Sequence, residues 1–364
     1  MTHIALITTT VNVPTVLVSH LQHVPPGSTL DVVVAGDVQT PDAARVLVED
    51  LGGTYLDVHD ERVDRWTSAK FVGTRSIQRR NLALLHALTL GPDIIITIDD
   101  DNVPVTPTVY LSSFIEGFTN PVTELFASSV GWYNPGDLLE PPVTHRGYPL
   151  GMRHVPWRLT IGDRREYQDD FKVGVVAGLW LGDPDVDAIE RIVNDPYVHD
   201  VGAALRDRPT GVVLAPRTWA PFNTQNTAFA WDVAPLMQCL VGVGRYDDIW
   251  MSYVARRILD DLGWSVRYGY PLAHQSRNAH DLIKDMRAEY HGYLNTEHIV
   301  SALRELGVRS DVTPLEALAL VYRGIKHVFT SATRNANDAW VFDASEAVKI
   351  GESVRSQRSD NDGN

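Results

Sequence analysis

Residues 94–101 read Ile-Ile-Ile-Thr-Ile-Asp-Asp-Asp, a largely apolar run that ends in three consecutive carboxylates. A β-branched run this short reads as a strand buried on both faces of a parallel sheet. In open α/β sheets, ligands bind just beyond the carboxyl ends of such strands. Three adjacent Asp residues repel one another there unless a cation or donor groups offset their charge. Carboxylate oxygens on alternate residues suit Mg2+ or Mn2+ holding a diphosphate. The plainer alternative is a solvated acidic turn, and the rest of the chain decides between the two.

The segments around this strand alternate strand and helix signals. Ile4–Ile7 is a short apolar strand ending in Thr8-Thr9-Thr10, and Leu30–Ala35 is a second, ending at Gly36-Asp37. Thr40-Pro41-Asp42 offers an N-cap, Pro at the first helical position and an acid in the first turn. A helix is therefore expected to about Leu51, and another from about Thr74 to Leu90, stopped by Gly91-Pro92. With Ile94–Ile98 as third core strand, this βαβαβ order implies a parallel sheet with right-handed crossovers. No Gly-x-Gly-x-x-Gly follows the first strand, which disfavours a dinucleotide-binding fold of the familiar kind. From about Tyr110 to Arg277, Trp, Pro and Gly separate short strands by long loops, the usual setting for a sugar or acceptor pocket. From Glu297 onward the spacing of Ile299, Leu303 and Leu306, then of Leu315 to Val328 after the cap Thr313-Pro314, is helical. The expected division is a catalytic domain at 1–290, a helical extension at 291–355 and a polar, disordered tail at 356–364. The extension either caps the core or forms the interface of a homo-oligomer.

Composition excludes several function classes. The chain is 364 residues long, with 44% hydrophobic and 21% charged residues, ordinary for a globular protein. No apolar run approaches the roughly 18 residues of a membrane span. The N-terminus lacks the basic and apolar regions of a signal peptide. Cys239 is the single cysteine, which excludes an internal disulfide and cysteine-rich metal sites and fits a reducing cytoplasm. The formal net charge of -14 makes nucleic acid a poor partner. An anionic nucleotide remains compatible if a divalent metal supplies positive charge.

Four further segments stand out: Arg146-Gly147-Tyr148-Pro149 followed by Arg153; Gly178-Leu179-Trp180-Leu181 followed by Pro184-Asp185-Val186-Asp187-Ala188; Asn226-Thr227-Ala228-Phe229; and Gly244-Arg245-Tyr246-Asp247-Asp248-Ile249-Trp250. With the Asp triplet, in this order and spacing from about Ile4 to Tyr290, the chain resembles the reversibly glycosylated polypeptides, or UDP-arabinopyranose mutases. The resemblance implies a glycosyltransferase-A-like α/β fold: a Rossmann-like parallel-core sheet flanked by helices, here with a C-terminal helical extension. It also implies a divalent metal (Mn2+ or Mg2+), no flavin, and interconversion of pyranose and furanose forms of a UDP- or GDP-linked sugar. The Val-, Ala-, Arg- and Asp-rich, Lys-poor composition points to a high-GC actinobacterial branch, similar to a GDP-L-galactose mutase that supplies a furanose to antibiotic pathways.

By this resemblance Asp99, Asp100 and Asp101 form the metal motif. Asp101, furthest beyond the strand, is the first choice of ligand; Asp99 reaches the ribose or the same ion, and Asp100 is assigned to substrate. A third ligand is expected from His274 or His280, with His274 preferred, although Ala273-His274-Gln275-Ser276 breaks the plant pattern Trp-His-Ser by one residue. Arg146 aligns with the family's glycosylated arginine and Arg153 with its neighbour. A guanidinium stays protonated, since its pKa exceeds about 12, and its fork suits a diphosphate. Both are therefore expected to clamp phosphate, with a transient glycosyl adduct or a loop ion pair as alternatives. Of Asp247 and Asp248, one is expected to meet sugar hydroxyls and the other to hold Arg245; both also offset a helix dipole. Trp180 packs on the apolar face of the sugar or is a core Trp, Asp185 and Asp187 line the same segment, and Asn226 reads a hydroxyl. Thr8, Thr9 and Thr10, with Asp37, are the expected nucleoside contacts. Arg75, Arg79, Arg80 and Asn81 precede the metal strand on a helix, where a spacing of four puts Arg75 and Arg79 on one face, to meet the diphosphate or simply be solvated.

The expected function is thus a metal-dependent nucleotide-sugar mutase. The alternatives are a glycosyltransferase, including a self-glycosylating one, and a non-catalytic partner subunit that binds nucleotide sugars.

Overall fold

A computed structural model describes residues 1–162, 171–194, 201–203, 211–276, 281–307 and 311–362. A nine-stranded sheet forms the centre. Its strands are β1 (Thr2–Thr9), β2 (Ser28–Ala35), β3 (Thr54–Leu56), β4 (Ile94–Ile98), β5 (Asn102–Pro104), β6 (Lys172–Gly182), β7 (Val212–Val213), β8 (Asn226–Ala230) and β9 (Trp264–Gln275). The helices that matter here are α1 (Asp42–Asp50), α2 (Arg80–Thr89), α3 (Tyr110–Thr119), α4 (Ala188–Asn194), α5 (Asp247–Asp261), α6 (Leu282–Glu305), α7 (Pro314–Gly324) and α8 (Ser331–Asp362).

The spatial order is β7-β9-β6-β8-β4-β1-β2-β3, with β5 paired to β9. β1 runs parallel to β2 and β4, in register Ile4 opposite Leu30 and Ile94. Every residue of β4 is buried, which is why its sequence shows no alternation. Alternation does sort the flanking layers. Ile4, Leu6, Ile94, Ile96 and Ile98 share a cluster with Tyr110, Leu111 and Phe114 of α3. Ala5, Ile7 and Ile95 pack on the other face with Leu82, Leu85 and Leu88 of α2. The short edge strand β3 was not foreseen from sequence.

Beyond β4 the sheet becomes mixed. β8 lies antiparallel to both β4 and β6, and β9 is parallel to β6. Two reversals restore direction, so β1, β2, β4, β6 and β9 all end on one edge, where antiparallel β8 begins. This single fact gathers the Thr triplet, Asp37, the Asp triplet, residues 183–187, Gln275 and the residues before Asn226 on one rim. The expected parallel-core sheet flanked by helices is what the chain forms, with β8 as its antiparallel member.

The C-terminal helices correct two expectations. The division expected at 290 and 291 falls inside the continuous helix α6. The tail expected to be disordered from Ser356 is the end of α8, which runs to Asp362. Its polar arginines have partners: Arg355 donates to the Pro92 carbonyl (2.8 Å) and Arg358 to that of Leu90 (3.0 Å), capping the end of α2 as basic side chains do. Thr313 and Glu316 form the capping box that starts α7. No helix among the described residues is long and apolar enough to cross a membrane.

Candidate functional site

The three aspartates leave β4 in different directions. The Asp99 N–H still donates to the Gln225 carbonyl (3.0 Å), extending the β4–β8 ladder by one residue, and its carboxylate pairs with Arg80. Asp100 accepts from the Thr10 hydroxyl. Asp101 accepts a long hydrogen bond, 3.4 Å, from the Gln275 amide. All three remain partly exposed.

Arg80 begins a buried polar chain. Its Nη1 donates to the Thr224 hydroxyl (2.5 Å) and carbonyl (3.2 Å). The Thr224 hydroxyl donates to Asp248 (3.2 Å), whose same oxygen accepts the Thr224 N–H (3.0 Å). The other Asp248 oxygen lies 3.5 Å from Arg146. Arg146 Nε donates to both oxygens of Asp185 (3.2 and 3.0 Å), its Nη2 to one of them (2.8 Å), and its Nη1 to the Arg245 carbonyl. Asn223 closes the far end, donating to Asp185 (2.9 Å) and to Gln225 (3.2 Å). Gln225 donates to Asn102 (3.2 Å), directly after the Asp triplet. Segments scattered over some 170 residues thus form one connected network. Gly147 permits part of it: at φ 92°, a Cβ there would strike the Ile249 side chain of α5, so the close approach that brings Arg146 to Asp248 needs glycine.

Burial sets the charge states. Burial alone would disfavour the Arg146 guanidinium, but Asp185 and Asp248 outweigh it and hold its pKa well above the usual value. Asp247 is pushed up to about 7, first by burial and then by the adjacent Asp248. Gln78 donates to its carboxylate (2.7 Å). Burial lowers His145 to about 4, so the imidazole over Trp180 is neutral, with ring centroids 5.2 Å apart.

Several expected contacts are corrected. Asn226 is held by the protein rather than turned to a sugar hydroxyl: its amide accepts from the Tyr110 hydroxyl (2.7 Å) and donates to the Leu179 and Pro271 carbonyls (3.0 Å each), and it is fully buried. Arg75 and Arg79 share no helical face, because the helix starts at Arg80 after a short turn. Arg75 is exposed with φ 56°, while Arg79 is buried on the carbonyls of Gly36, Gly73 and Asp57. Arg245 is held by neither Asp247 nor Asp248; it reaches α6, at Glu289 (3.0 Å) and Asp285 (3.6 Å). Arg153 pairs internally with Asp187 and Glu190, and Asp187 caps α4 through the Glu190 N–H (2.9 Å). Trp180, 1% exposed, is a core residue. The Thr8 and Thr9 hydroxyls brace the carbonyls of Ile98 (2.8 Å) and Ala35 (2.7 Å). Asp37 accepts from the N–H groups of Arg75 (2.8 Å) and Ser76 (2.9 Å). Burial would raise its pKa, but these bonds and Arg79 hold it low.

The metal reading meets a mixed result. No cluster of three or more His, Cys, Asp and Glu suited to a metal is assembled among the described residues. His274 is exposed and packs beside Gly182; neighbouring strand residues face opposite ways, and it is Gln275 that faces Asp101. His280 lies outside the described residues. Gln275 is 3% exposed, and among the described residues its Oε1 has no hydrogen-bond partner. The Asp101 carboxylate is the oxygen donor type that a hard divalent cation takes, and Gln275 meets it through its amide N–H. Arg80, Thr224, Asn223, Gln225, Gln275 and Glu289 were missed as site residues or left unassigned. Only Arg80 and the Asn-Thr-Gln before β8 carried a signal, as polar residues beside apolar strands.

Comparison with known proteins follows the same motifs. The family model described as "Reversibly glycosylated polypeptide" matches residues 86–320. The chain is 28% identical over 235 residues to a probable UDP-arabinopyranose mutase 1 of Pisum sativum, covering 61% of this chain and 57% of the relative. It is 27% identical over 242 residues to UDP-arabinopyranose mutase 3 of Arabidopsis thaliana, covering 61% and 58%. The chain thus spans little more than half the length of these relatives. A solved glucosyl-3-phosphoglycerate synthase from Mycobacterium tuberculosis, in complex with Mn2+ and UDP-glucose, overlaps at TM-score 0.40 and 11% identity over 80% of this chain and 78% of that one, too loosely to bear on function. The family match covers more than half of the 364 residues and includes β4, the Asp triplet and the whole network except Arg80 and Gln78: this chain belongs to the reversibly glycosylated polypeptide family.

Proposed function

We propose that the chain is a metal-dependent, flavin-independent mutase that interconverts pyranose and furanose forms of a nucleotide sugar. The observation that carries this reading is the buried chain from Asp99 through Arg80, Thr224, Asp248 and Arg146 to Asp185, which ties the strand-end carboxylates to the Arg-Gly-Tyr-Pro segment in one site. The likeness to plant UDP-arabinopyranose mutases supports the reaction class. The resemblance to the family's antibiotic-pathway branch favours GDP-L-galactose or a related GDP-hexose over UDP-arabinose. The buried lone Cys239 suits a reducing cytoplasm.

The chemistry asked of the residues is specific. Mn2+ or Mg2+ at Asp101 would neutralise charge on the departing diphosphate. The C1–O bond to the nucleotide breaks and its electron pair leaves with the phosphate oxygen. The ring opens, O4 closes on C1 in place of O5, and the O4 proton passes to O5. The same phosphate oxygen then recaptures C1. Asp247, titrating near neutral pH, is suited to carry that proton. Arg146 is saturated by two carboxylates and a carbonyl, so it acts by fixing Asp185 and Asp248 toward the sugar rather than as a nucleophile. Water must be kept out, or the products are free sugar and nucleotide.

The test is a panel of UDP- and GDP-linked sugars incubated with Mn2+ or Mg2+ and no acceptor, with the products separated by chromatography. A furanose nucleotide that disappears with chelator supports the mutase. Full turnover in chelator, or product only when an acceptor is added, goes against it; the latter marks a glycosyltransferase.

A further inference from the structure

A hydrogen-bonded chain joins the segment beyond β2 to Asp247, the carboxylate that the reaction above asks to carry a proton. It starts at Asp37, which accepts the N–H groups of Arg75 (2.8 Å) and Ser76 (2.9 Å). Ser76 is thereby fixed; its hydroxyl oxygen accepts the Gln78 N–H (3.3 Å), and its hydroxyl proton goes to Gln78 Oε1. The other end of that amide, Nε2, donates to Asp247 (2.7 Å). Ser76 therefore decides which end of Gln78 faces Asp247: its hydroxyl engages the oxygen, and the N–H end is left for the carboxylate. The groups around Asp247 pull in two directions. Burial and Asp248, the next residue of α5, disfavour its charge, whereas Arg146, the Asp248 N–H (3.0 Å) and Gln78 favour it. Arg80 of α2 and the Cys239 thiol complete the surroundings: Arg80 favours the charge of Asp248, and burial keeps the thiol protonated.

Resting on the mutase reading above, we infer that Gln78, oriented by Ser76, is the positioning residue that holds Asp247 ready to take the sugar's ring proton and hand it on. In that step O4 gives its proton to an Asp247 carboxylate oxygen as it bonds to C1. Asp247 then gives the proton to O5, whose own bond to C1 has broken. The carboxylate must be charged before the step and neutral during it. Left to burial and a second acid alone, Asp247 would keep its proton and could not act as base. The Gln78 N–H on one oxygen favours the charged form. With the Asp248 N–H on the other oxygen, it also fixes the plane of the carboxylate. Because Gln78 is tied through Ser76 to Asp37, the segment that closes the end of β2 sets the state of an acid on α5.

The experiment reads Asp247 in the full chain by urea unfolding across pH and by the pH profile of mutase kcat. In the wild type, the part of stability that Asp247 controls falls as pH rises to about 7, where the folded carboxyl has lost its proton. Gln78→Met removes the donor, so Asp247 keeps its proton longer, and the fall should run roughly one pH unit further. The rising limb of kcat should move the same way, with KM within about twofold of wild type. Ser76→Ala frees the amide to turn and should give a smaller shift in the same direction. In an Asp247→Asn background the Gln78 substitution should shift nothing, whereas a general loosening of the segment would act in both backgrounds. If Gln78→Met does not fold, Ser76→Ala carries the test. No shift, or an equal shift in the Asp247→Asn background, overturns the inference while leaving the mutase reading intact. A shifted unfolding curve with no furanose nucleotide from the wild type overturns the mutase reading, and with it the proton's destination, but not the hold of Gln78 on Asp247.

Discussion

Arg80 opens α2 with its guanidinium between Asp99 and Thr224, and the network hinges on it. Burial opposes its charge, but Asp99 holds the pKa above the ordinary value. Arg80→Met strands the Asp99 carboxylate and the Thr224 hydroxyl; Asp99 is 31% exposed, so the expected loss is about 2–3 kcal/mol, below the full cost for a buried pair, read by urea unfolding. A silent surface arginine would show no change. Asp247 gives a pH signature. Its folded pKa of about 7 lies above the unfolded value near 4, so the native state binds the extra proton between them. Its contribution therefore lowers stability as pH rises from about 4 to about 7. Asp247→Asn should flatten that part of the stability–pH curve, and an unchanged slope contradicts the assignment. Asn226 belongs to the scaffold: Asn226→Leu should cost about 2–4 kcal/mol through three lost buried hydrogen bonds, and any catalytic loss should track unfolding rather than KM.

At the scale of elements, the strongly patterned segments were legible in the sequence. β4 is an uninterrupted buried run, α1 has its Pro and acid at the start, and α7 its capping box. The helix before β4 was read six residues too early, because Asp37, 38 residues before Arg75, holds the N–H groups of Arg75 and Ser76, and a short turn follows before Arg80. The last helix was missed because polar composition says nothing of docking. Gly351 of α8 lies so close to the end of α2 that a Cβ would strike the Leu88 carbonyl, and Asp343 accepts the N–H groups of Thr67 (3.1 Å) and Ser68 (2.6 Å). Gly351→Leu is expected to destabilise by about 1–3 kcal/mol, as overpacking does, seen as a lower Tm. An unchanged Tm contradicts the docking.

At the scale of the whole molecule, the sheet explains why the site was only partly readable. The Asp triplet, Arg146, Asp185 and the Asp247-Asp248 pair were identifiable as chemistry-bearing types, but their partners depend on β8 running against its neighbours, which delivers Asn223, Thr224 and Gln225 to the shared rim. No periodicity encodes that reversal. The family resemblance located the motifs, whereas Arg153, Arg245 and Asn226 took other partners because each is claimed by a nearer backbone or carboxylate. The central claim is that this rim rearranges a nucleotide sugar without an acceptor. The most direct measurement is a proton and phosphorus NMR time course on GDP-L-galactose and UDP-arabinopyranose with Mg2+ and the wild-type chain. The account predicts furanose anomeric signals growing at the expense of pyranose while the diphosphate ester stays intact; accumulation only of free sugar and nucleoside diphosphate, or no change with either substrate, contradicts it.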